Sequence, residues 1–222
     1  MGTGSRSRDW EALSEACVLF GFVMLYIWKL HLSHPWTGLL APAFTIATHL
    51  PRREGARRLG FGWKEFRQAS PVVLPWAAAI SAVLLAAGAL AGTVRNVPAG
   101  QASWGLGVYL VWGLFQQYLL NGFLANRLAE YAGAPESRLV PLAAATLFSL
   151  AHLPNWFLMA VTFLGGYISV RVYLRYRSLY VLGVAHGVVA SVLFLVVPDS
   201  IGGHFLVGPR YLIDLHDATR LQ

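Results

Sequence analysis

The chain has 222 residues, of which 12% are charged (17 Lys or Arg against 10 Asp or Glu) and 56% are hydrophobic. Soluble domains usually carry about 25% charged residues, so this composition excludes a disordered chain and an ordinary soluble domain, and the single Cys17 excludes a disulfide scaffold. Uncharged stretches at 68–94, 96–126 and 139–170 exceed the ~20 apolar residues that cross a bilayer, which points to an integral membrane protein. The apolar runs show no strand alternation, and a bilayer admits only helices or closed barrels. The expected fold is all-α: a polytopic transmembrane helical bundle, one integral membrane domain over 1–222.

In chain order, about seven spans (six to eight) are expected, at roughly 13–30, 36–50, 71–93, 104–126, 139–153, 156–173 and 179–198. The first apolar run, Cys17–Trp28, ends in Lys29 without a small-residue cleavage site and reads as a retained span. Arg6 stands where a myristoylation signal needs Ser or Thr. The second span is short and begins at His34-Pro35. In the third, Gly88-x-x-x-Gly92 reads as helix packing. A single helix over 139–170 would be ~48 Å long, so the run is divided at His152-Leu153-Pro154-Asn155.

These spans place Arg6, Arg8, Arg52, Arg53, Arg57, Arg58, Lys64, Arg67, Arg127, Arg138, Arg171, Arg175 and Arg177 on one side, and Lys29, Arg95, Arg210 and Arg220 on the other. The positive-inside rule then sets the N-terminus in the cytoplasm, in a multi-pass protein expected in a prokaryotic inner (plasma) membrane. The +7 net charge is read as orientation and contact with membrane lipid, not as nucleic-acid binding. The many Trp and Tyr residues read as interface belts.

Polar side chains at membrane depth are costly and therefore candidates for function. They are Gln116, Gln117 and Asn121 in the fourth span; Ser149, His152 and Asn155 in and after the fifth; and His186 and Ser191 in the seventh. Gln117 and Asn121 are four apart and share a helix face, as do Phe148 and His152. One histidine could orient or deprotonate a water while the other donates to a developing oxyanion. His152 and His186 are also the pair a divalent metal would take, although the sequence requires no cofactor. The same residues serve equally well as hydrogen-bonding glue between helices, and spacing alone does not separate these readings. His31, His34 and His49 at span boundaries, and His204 and His216 in the tail, are expected to be structural or solvated.

At these residues, over about 104–198, the chain resembles the CPBP family of intramembrane proteases (CAAX prenyl protease and bacteriocin-processing, or Abi). Phe148-Ser-Leu-Ala-His152 is similar to its F-x-x-x-H motif. Leu164-Gly-Gly-Tyr167 through Tyr173-Leu-Arg-Tyr-Arg-Ser-Leu179 looks like its small-residue helix and following turn, and His186 stands where its last histidine motif begins. The family's E-E-x-x-x-R motif is replaced by Gln116-Gln117-x-x-x-Asn121, and Ala190 stands where the last motif has Asn or Asp. The resemblance implies an intramembrane endopeptidase, a hydrolase acting on a membrane-anchored or prenylated peptide. It implies a site made of His152, His186, Gln116, Gln117 and Asn121, with Phe148 and Asn155 contacting substrate. A neutral amide cannot replace a carboxylate as general base, so proteolysis is in doubt. The alternatives are a non-catalytic protein that binds such a substrate, and a membrane enzyme acting on a lipid or isoprenoid through the two histidines. Glu15 is the one acid expected to be able to reach the site.

Overall fold

The computed structural model describes residues 3–133 and 137–220, with side chains over 9–133 and 137–217. Glu136 therefore lies outside the described residues, as do the side chains of Arg6, Arg8 and Arg220. Among the described residues the elements are helical throughout. Helix α1 (Thr3–Leu25) widens into a π turn (Tyr26–Leu30), and a 3-10 turn (Pro35–Leu39) leads into α2 (Leu40–His49). A single turn, α3 (Ala56–Leu59), precedes the long α4 (Trp63–Leu90). Helix α5 (Ala99–Gln117) continues through a π segment (Tyr118–Ala125) into α6 (Asn126–Ala132), with right-handed helical backbone at both junctions. There follow α7 (Leu139–Leu150), α8 (Trp156–Tyr176) and α9 (Leu179–Val196). The chain ends in α10 (Asp199–Gly202), a 3-10 turn (Gly203–Phe205) and α11 (Gly208–Arg220).

Helices thus occupy all seven expected positions, but their lengths differ. Asp9–Leu30, Trp63–Leu90, Trp156–Tyr176 and Leu179–Val196 are long and apolar enough to cross a membrane. The 36–50 and 139–153 expectations become helices of 10 and 12 residues. At 1.5 Å per residue these rise about 15 and 18 Å, short of a hydrocarbon core of about 30 Å. The third expected span, α4, begins at Trp63, well before residue 71, because Gly62 in extended backbone starts it and its first turns carry Lys64, Glu65, Arg67 and Gln68. Val83, Leu90 and Leu164 are all exposed, as expected of lipid-facing walls in an integral membrane protein.

The helices meet through small residues, since apolar lipid supplies no hydrophobic drive to bring helices together. A Cβ on Gly187 would lie 2.7 Å from Leu110 Cα, and one on Gly183 would lie 2.9 Å from Leu114 Cα. Backbones of α5 and α9 therefore touch along Gly183-x-x-x-Gly187. In α4 the Gly88-x-x-x-Gly92 expectation holds for one glycine only. A Cβ on Gly88 would lie 2.7 Å from Val196 Cβ, whereas nothing lies within 4 Å of a Cβ on Gly92. Gly92 instead takes a left-handed φ of 67° just past the helix, where Thr93 N donates to Gly88 O at 2.9 Å and closes the end.

Two polar clusters close the bundle. At one end, fully buried Arg127 forms a two-pronged pair with Glu54 at 2.8 and 3.0 Å and bonds Glu15 at 2.5 Å. Arg52 joins Glu130 at 2.6 Å, and Arg177 reaches Asn126 at 2.9 Å. At the other end, Arg95 grips Asp199 with both NH groups and donates to the Phe194 and Val197 carbonyls, tying the α4–α5 loop to the end of α9. Basic residues that the sequence assigned to one side, including Arg52, Arg127 and Arg177, are thus gathered at one end of the molecule.

Candidate functional site

The α5–α9 contact at the glycines sets Gln117 against His186. Gln117 Nε2 donates to His186 Nδ1 at 2.9 Å, while Gln117 Oε1 accepts from Asn121 Nδ2 at 2.6 Å and from Ser169 Oγ at 2.5 Å. Asn121 also donates to Ser169 Oγ at 2.9 Å, and its Oδ1 is buried without a partner. This network fixes the orientation of the Gln117 amide, because its oxygen already serves two donors. His186 consequently accepts at Nδ1, and in the neutral ring its proton resides on Nε2.

His152 caps the end of α7 with the opposite arrangement. Its Nδ1 lies 2.8 Å from the Phe148 carbonyl, which can only accept, so Nδ1 carries the proton and Nε2 keeps its lone pair. The Phe148 ring sits edge-on to both imidazoles, with centroids 5.0 Å from His152 and 6.5 Å from His186. One histidine is therefore set as an acceptor and the other as a donor. Such a pair can take a proton from one atom and hydrogen-bond to another.

Both imidazoles open on a cavity of about 1640 Å³ that is bordered by α1, α2, α4, α5, α7, α8 and α9 and by residues 205–210. Its walls are overwhelmingly apolar, and Gln116, Gln117, Ser169 and Phe148 also line it. Gln116 makes no hydrogen bond to any described residue, which leaves its amide available to a ligand. No Asp or Glu is among the described residues lining the cavity. Glu15, the acid expected to reach the site, is held at the far end by Arg127 and Arg52 and does not border the cavity. Among the described residues no group of three or more His, Cys, Asp or Glu could hold a metal, so His152 and His186 have no third such partner.

The structure thus brings together Gln116, Gln117, His152, His186 and Phe148, with Asn121 directly behind Gln117. Asn155, read as a substrate contact, is 1% exposed and does not line the cavity. Its Oδ1 accepts from Leu158 N at 3.0 Å, capping α8, and its Nδ2 donates to Gly202 O at 2.8 Å and Leu206 O at 3.1 Å. Ser149 is likewise turned away, donating to Met159 O at 2.8 Å. Ser169 was missed, although its place three residues after Gly166 on the small-residue face of α8 was a usable signal. Of the structural or solvated roles expected for His49, the structure shows the first: it is buried, donating from Nδ1 to Glu54 at 2.6 Å with Nε2 3.0 Å from the Tyr118 hydroxyl.

Residues 98–192 match a family model described as type II CAAX prenyl endopeptidase Rce1-like. No curated protein and no solved structure matches the chain. The matched stretch runs from the start of α5 into α9 and contains Gln116, Gln117, Asn121, Phe148, His152 and His186. The resemblance first drawn from short motifs therefore rests on a continuous segment: over 98–192 this chain is similar to the Rce1-like type II CAAX prenyl endopeptidases, which suggests an intramembrane protease of the CPBP kind.

Proposed function

We propose that this protein holds a prenylated or otherwise lipidated peptide in its intramembrane cavity and does not hydrolyse it. The observation that carries this reading is the neutral chain Asn121–Ser169–Gln117–His186, in a cavity bordered by no Asp or Glu among the described residues. Gln117 stands in the family's acidic motif, yet its amide is fully engaged and cannot accept a proton from water. Replacing a Glu-Glu-Arg set by Gln-Gln-Asn also removes the cost of desolvating three charges, so the bundle is adjusted to work without them. The apolar walls suit a lipid chain, and Gln116 with the two imidazoles suits the polar peptide attached to it. In this reading residues 1–222 form one membrane domain with its N-terminus in the cytoplasm.

The test uses purified full-length protein and an S-farnesyl peptide, with binding and product followed separately. Expected are saturable binding and no cleavage product by mass spectrometry. Cleavage that disappears in His152→Ala would overturn the proposal. The complementary tautomers of His152 and His186 favour a second reading, an acid–base enzyme acting on a lipid or isoprenoid. That reading predicts turnover of a non-peptide amphiphile that is lost in both His152→Ala and His186→Ala.

A further inference from the structure

Arg210 is the one Lys or Arg among the described residues that border the cavity, and no acid there balances it. It makes no ion pair or hydrogen bond to any described residue. Asp214, one turn along α11 and the natural partner for Arg210, lies instead 3.7 Å from His204 Nε2. An unpaired guanidinium at the edge of an otherwise apolar cavity is a ready partner for an anion. Its planar fork matches a carboxylate, and its exposed position leaves it open to a ligand's end.

The segment carrying Arg210 is fastened to the candidate site. Gly208 N donates to Leu153 O at 2.7 Å, directly after His152, and Asn155 Nδ2 holds Leu206 O at 3.1 Å. The same stretch packs on the first helix, where a Cβ on Gly208 would lie 2.7 Å from Ile27 Cγ2. His31, one turn beyond Ile27, also lines the cavity and keeps its Nδ1 on Ile27 O at 2.8 Å. The backbone that carries Arg210 is therefore held in a fixed relation to the turn that carries His152.

We propose that Arg210 recognises the free C-terminal carboxylate of the lipidated peptide, while the lipid lies among the apolar walls and the peptide backbone faces Gln116, His152 and His186. This rests on the ligand class proposed above and adds the residue that selects the end of the chain. Charge complementarity argues for it: the cavity offers one uncompensated positive charge, and a peptide terminus brings one negative charge on two oxygens.

The experiment compares one fluorescent S-farnesyl peptide made as the C-terminal acid and as the C-terminal amide, titrated into full-length protein in non-ionic detergent at low salt. The acid is expected to bind about fivefold tighter, the upper size of an exposed ion pair at low salt. In Arg210→Gln the two forms should bind alike, and Arg210→Lys should restore part of the preference. Equal binding of acid and amide by the unsubstituted protein overturns the role of Arg210 while leaving the binding function intact. A preference that survives in Arg210→Gln does the same. Failure of either form to bind overturns both. Selection of farnesyl phosphate over farnesol without any acid-over-amide preference assigns Arg210 to a lipid phosphate and overturns the peptide terminus.

Discussion

Arg127 shows how much a single residue's surroundings decide. Its guanidinium is 0% exposed, lies 4.9 Å above the Phe123 ring and is shared by Glu15 and Glu54. Burial pushes the Glu54 carboxyl upward, but hydrogen bonds from His49 and Arg127 and the attraction of both charges outweigh it and hold Glu54 at about 2, against an ordinary 4.5. A lowered carboxyl stabilises the folded form fully above about pH 4.5, and that contribution is lost as pH falls through about 2. Thermal unfolding in detergent should therefore show the melting temperature dropping across that window. Glu54→Gln should flatten the drop and destabilise the protein at neutral pH by about 3–5 kcal/mol, because Arg127 loses its two-pronged partner. An unchanged acid limb in the variant would mean that another carboxylate dominates.

Between elements, the α5–α9 crossing governs the site. Gln117 meets His186 because Gly183 and Gly187 let the two backbones touch, and a methyl group at Gly187 would have to displace backbone atoms of Leu110 at 2.7 and 2.9 Å. Gly187→Ala should therefore cost about 1–3 kcal/mol in unfolding experiments and weaken ligand binding by parting Gln117 from His186. Gly105→Ala on the same α5 helix is the control, since nothing lies within 4 Å of its Cβ and it does not line the cavity, and it should be as stable as the parent or up to about 1 kcal/mol more stable. Equal effects at the two positions would show that close approach is not what the α9 glycines provide. The π segment Tyr118–Ala125 matters at the same scale. Its wider turn lies directly after Gln117 and buries Leu120 to Ala125, and such bulges recur at functional sites.

For the whole molecule, the two ends differ in charge and in what they close. One gathers Arg52, Arg127 and Arg177 with their acids; the other carries the Arg95–Asp199 pair, the Asn155 cap and Arg210 beside the cavity. If the arginine-rich end faces the cytoplasm, a cysteine introduced at Arg57 should react with a membrane-impermeant thiol reagent only in inverted vesicles. One introduced at Asn96 should react only in right-side-out ones, with Cys17 replaced by Ala in both. The opposite labelling pattern would reverse the orientation and place Arg210 on the cytoplasmic side.

Class and approximate helix positions were legible in the sequence because exclusion of charge from 68–94, 96–126 and 139–170 is a one-dimensional signal that the bilayer imposes on every span. Gln116, Gln117, His152 and His186 were legible for a related reason, since polar groups stand out in apolar runs. Their partners were not. Asn155 looked like a ligand contact until its three hydrogen bonds within the protein were seen, and Glu15 looked free to help until Arg127 was found to hold it. Short helices such as α7 could not be told from spans, because hydropathy records polarity and not the point where a helix stops. The sequence by itself determined a helical membrane protein whose spans carry no acid at their apolar centres. Only the tertiary structure decided that Gln117 would lock one histidine as a donor, that Phe148 O would leave the other an acceptor, and that Arg210 would border their cavity. Those outcomes depend on contacts between residues distant in the chain, set where glycines let backbones meet.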